Sequence, residues 1–203
     1  MAGDAGRVIA GAAAGRRLAA PGPGTRPLTD RVKQTLFAIL EPSLPGSSFL
    51  DLCAGTGAGG IEALSRGARR AVFVERDGRA CGVIGENLAR TGLAGPAAVV
   101  ARADAVTWLA GAARGPARDP DPEPFDLVLL DPPYDDPALL ETLLAELGGT
   151  AADRLLDPAA TVVAKHFWRT APPARIGLLR STRERRFGET TLTFYRRDGT
   201  EDG

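Results

Sequence analysis

Ten residues constrain the fold of this chain more than any others: Asp51-Leu52-Cys53-Ala54-Gly55-Thr56-Gly57-Ala58-Gly59-Gly60. They join the apolar run Phe49–Cys53, which reads as a buried strand, to a helical stripe through Ile61 and Leu64 that stops at Gly67. Glycines let the backbone turn tightly there and let a ligand approach with no Cβ in the way. The next apolar run, Ala71–Val74, ends at Glu75. Strand, glycine turn, helix, strand and acid in this order form a βαβ unit and call for a parallel sheet.

The alternation continues. Residues 78–90 read as a helix closed by Thr91-Gly92, and Ala97–Ala101 as a third strand. A short helix through Trp108 and Leu109 follows, then a Pro/Asp/Arg-rich loop at 113–124. Phe125–Leu130 is a fourth strand, 137–147 a helix and Thr161–Lys165 a fifth strand. Ile176–Leu179 and Thr191–Tyr195 have no helix between them, which suggests an antiparallel edge hairpin. Ahead of the βα series, Val8–Ala10 and Arg17–Ala19 read as two short strands around Gly11–Gly15. Thr29-Asp30 reads as the N-cap of a helix with the apolar stripe Val32, Leu36, Ile39 and Leu40, ending near Pro42. Arg31 and Lys33 lie off that stripe. The expected architecture is α/β and Rossmann-like: a mostly parallel sheet over residues 46–197, a basic hairpin and helix over 1–45, and a disordered acidic tail at 198–203.

At 203 residues, with 44% hydrophobic and 25% charged side chains, the chain suits one soluble α/β domain. It lacks an apolar stretch long enough for a membrane and the pattern of a signal peptide, so the expected compartment is the cytoplasm. Cys53 and Cys81 are expected to be reduced, and the single histidine, His166, excludes a His/Cys metal cluster, so no metal is expected. The net charge of zero hides a segregated chain. Residues 1–40 carry six basic and two acidic side chains, 175–197 seven and two, and 41–174 twelve and eighteen. Of the 25 basic residues 23 are Arg, which composition bias explains; bias does not explain segregation, which suits a polyanion touching the ends.

Gly55, Gly57 and Gly60 satisfy G-x-G-x-x-G, with Ala54 and Thr56 completing the turn, and Glu75 is placed to take both hydroxyls of a ribose, with Arg76 beside it. NAD, FAD and S-adenosylmethionine all fit that logic. Three details favour S-adenosylmethionine. Asp51 would repel a pyrophosphate but suits an amino-acid ammonium. Asp104 follows the third strand, where its carboxylate could accept from an adenine amine while the N–H of Ala105 donates to a ring nitrogen. Finally, Asp131-Pro132-Pro133-Tyr134 ends the fourth strand, so a methyl donor and an amine acceptor would meet across one crevice.

That tetrapeptide is stiff, because neither proline can donate a ladder hydrogen bond and each fixes its own φ. It brings together one carboxylate, two backbone carbonyls freed from pairing and one aromatic face. This set suits a flat base with an exocyclic amine, although Asp-Pro-Pro also serves as an ordinary turn.

With these pieces in place the chain resembles the bacterial 16S ribosomal RNA guanine-N2 methyltransferases. The resemblance runs from Arg7 to Arg196 and rests on Arg7-Val8-Ile9-Ala10-Gly11, Arg26-Pro27-Leu28-Thr29-Asp30-Arg31-Val32-Lys33 with Leu36-Phe37, the Asp51–Gly60 loop with Glu62-Ala63-Leu64-Ser65-Arg66-Gly67, and Asp131–Tyr134. It implies a class I methyltransferase fold, S-adenosylmethionine as donor and a guanine of 16S RNA, naked or in an assembling small subunit, as target. The protein is expected to be a monomer. Asp131, Pro132, Pro133 and Tyr134 would hold the base. Arg7, Arg16, Arg17, Arg26, Arg31 and Lys33 are candidates for phosphate contacts. Gly59 departs from the bulky apolar residue common at that position, and Lys165-His166 stands where relatives often carry an acid; His166 reads as a strand-end surface residue. Three other readings stay open: an adenine-N6 methyltransferase, an NAD-dependent oxidoreductase and a non-catalytic RNA-binding module.

Overall fold

The computed structural model describes residues 3–20, 22, 28–114, 123–149 and 152–198. The chain divides into two compact units, residues 1–104 and 105–203.

The first unit opens with β1 (Gly3–Arg7) and β2 (Arg17–Ala20), an antiparallel pair with Arg7 opposite Arg17. Helix α1 (Asp30–Leu40) follows and is capped by the Thr29 hydroxyl. A single 3-10 turn, Glu41–Ser43, leads on to β3 (Ser48–Leu52), α2 (Ala58–Ser65), β4 (Arg70–Glu75), α3 (Gly78–Thr91) and β5 (Ala98–Arg102). The three strands β3, β4 and β5 are parallel, with β4 in the middle. Phe49, Leu50 and Leu52 of β3 and Ala71, Phe73 and Val74 of β4 are fully buried, as the continuous apolar runs require of strands covered on both faces. Asp77 caps α3 and Gly92, with φ of 74°, ends it.

The second unit holds α4 (Ala105–Arg114), β6 (Phe125–Leu130), α5 (Pro137–Gly148), α6 (Ala152–Leu155), β7 (Leu156–Phe167), β8 (Arg175–Ile176), β9 (Leu179–Phe187) and β10 (Thr190–Arg197). Strands β6 and β7 are parallel; β7, β10, β9 and β8 then follow edge to edge and antiparallel. Among the described residues no helix is long and apolar enough to cross a membrane.

Three expectations need correction. The first strand is Gly3–Arg7, and residues 8–10 are not a strand. The antiparallel ladder is larger than a hairpin: residues 176–179 form the bend between β8 and β9, with Gly177 at φ 55°, and β9 itself is a nine-residue strand rich in arginine. Finally, Lys33 lies on the buried face of α1 with Leu36, Phe37 and Leu40, the three-, four- and seven-residue spacing of one helix face, while Ile39 is only half-buried.

Val8 pairs with Arg16 and Gly15 across the turn, while Ile9, Ala10, Ala12 and Ala13 find backbone partners in α2. The Glu62 carboxylate accepts the N–H groups of Ile9 at 2.8 Å and Ala10 at 3.0 Å. Ser65 accepts from Ala12 through its carbonyl and from Ala13 through its hydroxyl, and that hydroxyl donates to the Ala10 carbonyl at 2.6 Å. A Cβ on Gly11 would sit 1.8 Å from the Ser65 carbonyl oxygen, and its φ is 85°, so glycine is required there. Glu62 is fully buried and also holds Arg66 at 2.8 Å. The two family-like blocks Arg7–Gly11 and Glu62–Gly67 are thus physical mates. Glu62→Ala strands two amides and leaves the nearly buried Arg66 guanidinium with Glu41 as its carboxylate partner, so it should cost about 3–5 kcal/mol, measured from the urea midpoint. A loss under about 1 kcal/mol would contradict this account of the docking.

Candidate active site

The glycine turn of the first unit is held from within by two carboxylates. Asp51, at 2% exposure, accepts the Gly60 N–H at 2.8 Å and so fixes the first turn of α2. Glu75 accepts the Gly55 N–H at 2.8 Å through one oxygen and the Asp77 N–H at 2.9 Å through the other. Between these anchors the backbone enters the left-handed region three times, at Cys53 (φ 61°), Gly55 (φ 54°) and Gly57 (φ 75°). A non-glycine residue there is strained, and strain of this kind is kept at sites that need a particular backbone shape. Gly60 serves packing: a Cβ on it would lie 2.3 Å from the Phe73 ring.

A carboxylate offers about four acceptor positions, so Glu75 can hold Gly55 and Asp77 and still receive a ribose diol. Ala54 and Thr56 are buried within the turn, and Arg76 and Asp104 are exposed. Asp104 closes this unit, and Ala105, the first residue of α4 in the second unit, is buried. Asn87, fully buried on α3, pairs its side-chain amide with both backbone groups of Ala19 and also donates to the Thr56 carbonyl at 3.0 Å. It ties the N-terminal hairpin to the turn. Sequence reasoning passed it by, since one Asn in an amphipathic helix reads as surface.

The basic set separates. Arg7, Arg16, Arg17 and Arg31 are exposed. Arg7 pairs with Asp30 at 3.2 Å, and Arg16 donates to the Arg90 carbonyl at 3.0 Å. Lys33 has no exposed surface; its ammonium donates to the Arg7 carbonyl and lies 3.6 Å from Asp30. Burial pushes its pKa down, against Glu62 and Asp30. It is an internal strut between α1 and the hairpin, and does not belong with the surface cations. Arg26 lies outside the described residues.

In the second unit, Asp131–Tyr134 follows β6 directly. Pro132 is buried, Pro133 exposed, and Asp131 and Tyr134 half-buried. Of the two carbonyls the prolines free, that of Pro133 accepts the Asp136 N–H at 3.2 Å. Asp136 in turn caps α5. The Tyr134 hydroxyl meets the Thr190 hydroxyl at 2.6 Å, and its ring lies 6.3 Å from that of Phe167. The feature sequence reasoning left without a role is Lys165. Leu130 pairs with Ala164, so the next residues along the parallel strands, Asp131 and Lys165, stand side by side. The Lys165 ammonium forms an ion pair with Asp131 and sits 4.7 Å from the centre of the Tyr134 ring. Burial alone would push the Lys165 pKa down, but Asp131 and then Tyr134 push it up, and the net shift is upward. Pro132, Pro133, Tyr134, Lys165 and Phe167 line a shallow, open cleft.

His166 is not a surface residue. It is 3% exposed and bonds the Phe167 carbonyl through Nδ1 and the Thr193 hydroxyl through Nε2, both at 2.9 Å. Sequence reasoning misplaced it because strand-end polar residues are more often exposed.

The fold and the site together define a Rossmann-like methyltransferase. A solved structure described as "Putative methyltransferase yhhF from Escherichia coli" matches with a TM-score of 0.80 at 30% identity, covering 96% of this chain and 98% of that one. Among known sequences, the Bacillus subtilis protein named "Putative rRNA methyltransferase YlbH" is 37% identical over 196 residues, which is 95% of this chain and 100% of that protein. "Ribosomal RNA small subunit methyltransferase D" of Escherichia coli K12 is 41% identical over 152 residues, 74% of this chain and 71% of that protein. The family model described as "Conserved hypothetical protein 95" matches residues 6–196. The chain belongs to this family.

Burial holds the pKa of His166 below its ordinary 6.5, although the Phe167 carbonyl and Glu184 push it up. The unfolded chain takes up a proton near pH 6.5 while the folded ring resists it. Stability is therefore full above about pH 6.5 and falls as the pH drops toward the lower folded value. The urea midpoint should fall more between about pH 7.5 and about pH 5.5 for the wild type than for His166→Gln. Equal losses in the two proteins would contradict the burial argument.

Proposed function

We propose that the protein transfers a methyl group from S-adenosylmethionine to the exocyclic N2 amine of a guanine in 16S ribosomal RNA, as naked RNA or in an assembling small subunit. The observation that carries this reading is the pair of loops. One is a turn anchored by Asp51 and Glu75 and shaped for an adenosine-type donor; the other is a proline-stiffened Asp131–Tyr134 loop with a fixed carboxylate and ring. The name of the Escherichia coli relative supports the small-subunit RNA, and the resemblance of the sequence supports guanine over adenine.

S-adenosylmethionine supplies a methyl group already activated on a sulfonium, so positioning and electrostatics dominate over strong acid–base chemistry. Glu75 would take the ribose hydroxyls and Asp51 the amino-acid ammonium. Asp104 and the Ala105 N–H would read the adenine edge, with Ala54, Gly55, Thr56, Gly57 and Arg76 framing the donor. On the acceptor side the amine lone pair is delocalised into the base. Asp131 and the Pro132 carbonyl would accept its two N–H bonds, turn the lone pair toward the methyl group and offset the positive charge that develops on nitrogen. Lys165 engages Asp131 Oδ1, which leaves Oδ2 for the amine. Tyr134, anchored at Thr190, would stack on a base that has left its RNA stack. The proton passes to water after transfer. Exposed Arg7, Arg16, Arg17 and Arg31 would meet phosphates, with Arg26 a further candidate.

Asp131→Ala should lower turnover at least about 100-fold with cofactor affinity within about twofold of wild type, while Glu75→Ala should weaken cofactor binding at least about tenfold by calorimetry. Full turnover in the first variant would remove Asp131 from the chemistry. An unchanged dissociation constant in the second would remove the ribose role of Glu75.

A further inference from the structure

Beyond Tyr134 the aromatic surface continues. Phe167 lies 6.3 Å from Tyr134 and Trp168 lies 6.2 Å from Phe167, each pair tilted. The row runs along the carboxyl end of β7, the strand beside β6, and leads away from the loop that carries Asp131. The Trp168 N–H donates to the Glu189 carbonyl in the turn between β9 and β10, which fixes its backbone. Two guanidinium groups lie over its indole: Arg186 of β9 at 3.9 Å from the ring centre and Arg169 at 4.7 Å. Trp168 is half-buried and both arginines are exposed. Arg186 is held in place by a bond from its Nε to the Gly188 carbonyl at 2.9 Å.

A cation on an indole face is attracted by the ring, but an exposed pair of this kind contributes little to stability. Two such cations on one half-exposed tryptophan, at the end of a row that starts at the base-holding tyrosine, form a surface with ligand-binding chemistry. Flat π faces and arginine planes stack on unpaired bases, and the same arginines meet phosphates. A duplex hides its base faces and cannot use the stacking half of the surface. The acidic neighbours are turned to other work or few: Glu184 binds Thr193, and Glu189 is the one acidic residue in the β9–β10 turn.

We propose that Phe167, Trp168, Arg169 and Arg186 form a binding platform for the single-stranded RNA next to the target nucleotide, with a flanking base stacked on the Arg186–Trp168 pair and a phosphate on Arg169. The proposal rests on RNA being the substrate and adds a second contact region to the N-terminal arginines. It gives the enzyme a grip on the strand from which the target base is withdrawn, beside the loop that receives that base.

The test is equilibrium binding of a fluorescently labelled single-stranded RNA and of a duplex of the same sequence, by anisotropy, with no cofactor present. Trp168→Ala should weaken single-strand binding about tenfold or more, since stacking on an aromatic side chain contributes on that scale. Arg186→Gln, at an exposed position, should weaken it about threefold to tenfold through loss of the stacking plane. Duplex binding should change less than about twofold for Trp168→Ala. Wild-type affinity for single strands in both variants would overturn the proposal, as would an equal loss on single strand and duplex, which would mark a general charge effect. Because methyl transfer is not measured, a wild-type enzyme that binds the strand through Trp168 but methylates nothing would count against the proposed reaction and leave the platform standing.

Discussion

The hydrogen bond from the Gly60 amide to the buried Asp51 carboxylate fixes where α2 begins, and the first unit is built outward from that helix. Because α2 starts there, Gly60 can lie flat against the Phe73 ring and draw the helix onto β4. Because α2 lies there, Glu62 and Ser65 face the N-terminal segment and supply the backbone partners that residues 9–13 would otherwise lack. Arg66 neutralises Glu62, and Lys33 adds its own buried charge nearby. A buried carboxylate with three charge-assisted partners is far cheaper than an unpaired one, and it fixes geometry more sharply than apolar contact does. One carboxylate at a strand end thus links the shape of the glycine turn to the seating of the basic hairpin, and Asn87 closes the same circuit from α3.

The second unit uses the same device with the opposite charge in the buried position. Parallel register between β6 and β7 sets Lys165 beside Asp131, and two prolines prevent the loop from relaxing into a longer strand. The ammonium, the ring of Tyr134 and the hydroxyl of Thr190 then hold the carboxylate and the aromatic face in fixed relation. It is telling that the chain carries 23 arginines and two lysines, and that both lysines are buried. A compact ammonium with three donors fits an enclosed site where a planar guanidinium does not. Composition alone presents these two residues as ordinary surface cations.

The βα framework was legible because buried parallel strands leave continuous apolar runs and because glycine, proline and capping residues punctuate them. Thr29 capped its helix and Phe125–Leu130 emerged as a strand with the expected bounds. What escaped has a common cause: the residues that make those features local were not apolar. β1 is built from Gly, Ala, Asp and Arg, so its strand character comes from pairing with β2 and not from its own propensity. β9 carries Arg180, Arg183, Arg185 and Arg186 on a largely exposed ladder, with no apolar face for a period of two to reveal. Lys33, Asn87, Glu62 and His166 are buried polar groups, and a sequence does not disclose which partner satisfies a polar side chain. Of the candidate site, the glycine turn, Glu75 at the end of β4 and the proline loop were legible as structure; Lys165 was not, because its meaning depends on the register that sets it beside Asp131, 34 residues away.

The central claim is that the two loops carry a methyl group to the N2 amine of a guanine in small-subunit ribosomal RNA. The most direct measurement is incubation of the purified protein with isotopically labelled S-adenosylmethionine and unmodified small-subunit RNA, both naked and assembled with ribosomal proteins, followed by digestion and mass spectrometry of the nucleosides. The account predicts labelled N2-methylguanosine from at least one of the two substrates. Labelled N6-methyladenosine in its place would contradict the choice of base, and no labelled nucleoside from either substrate would contradict the reaction.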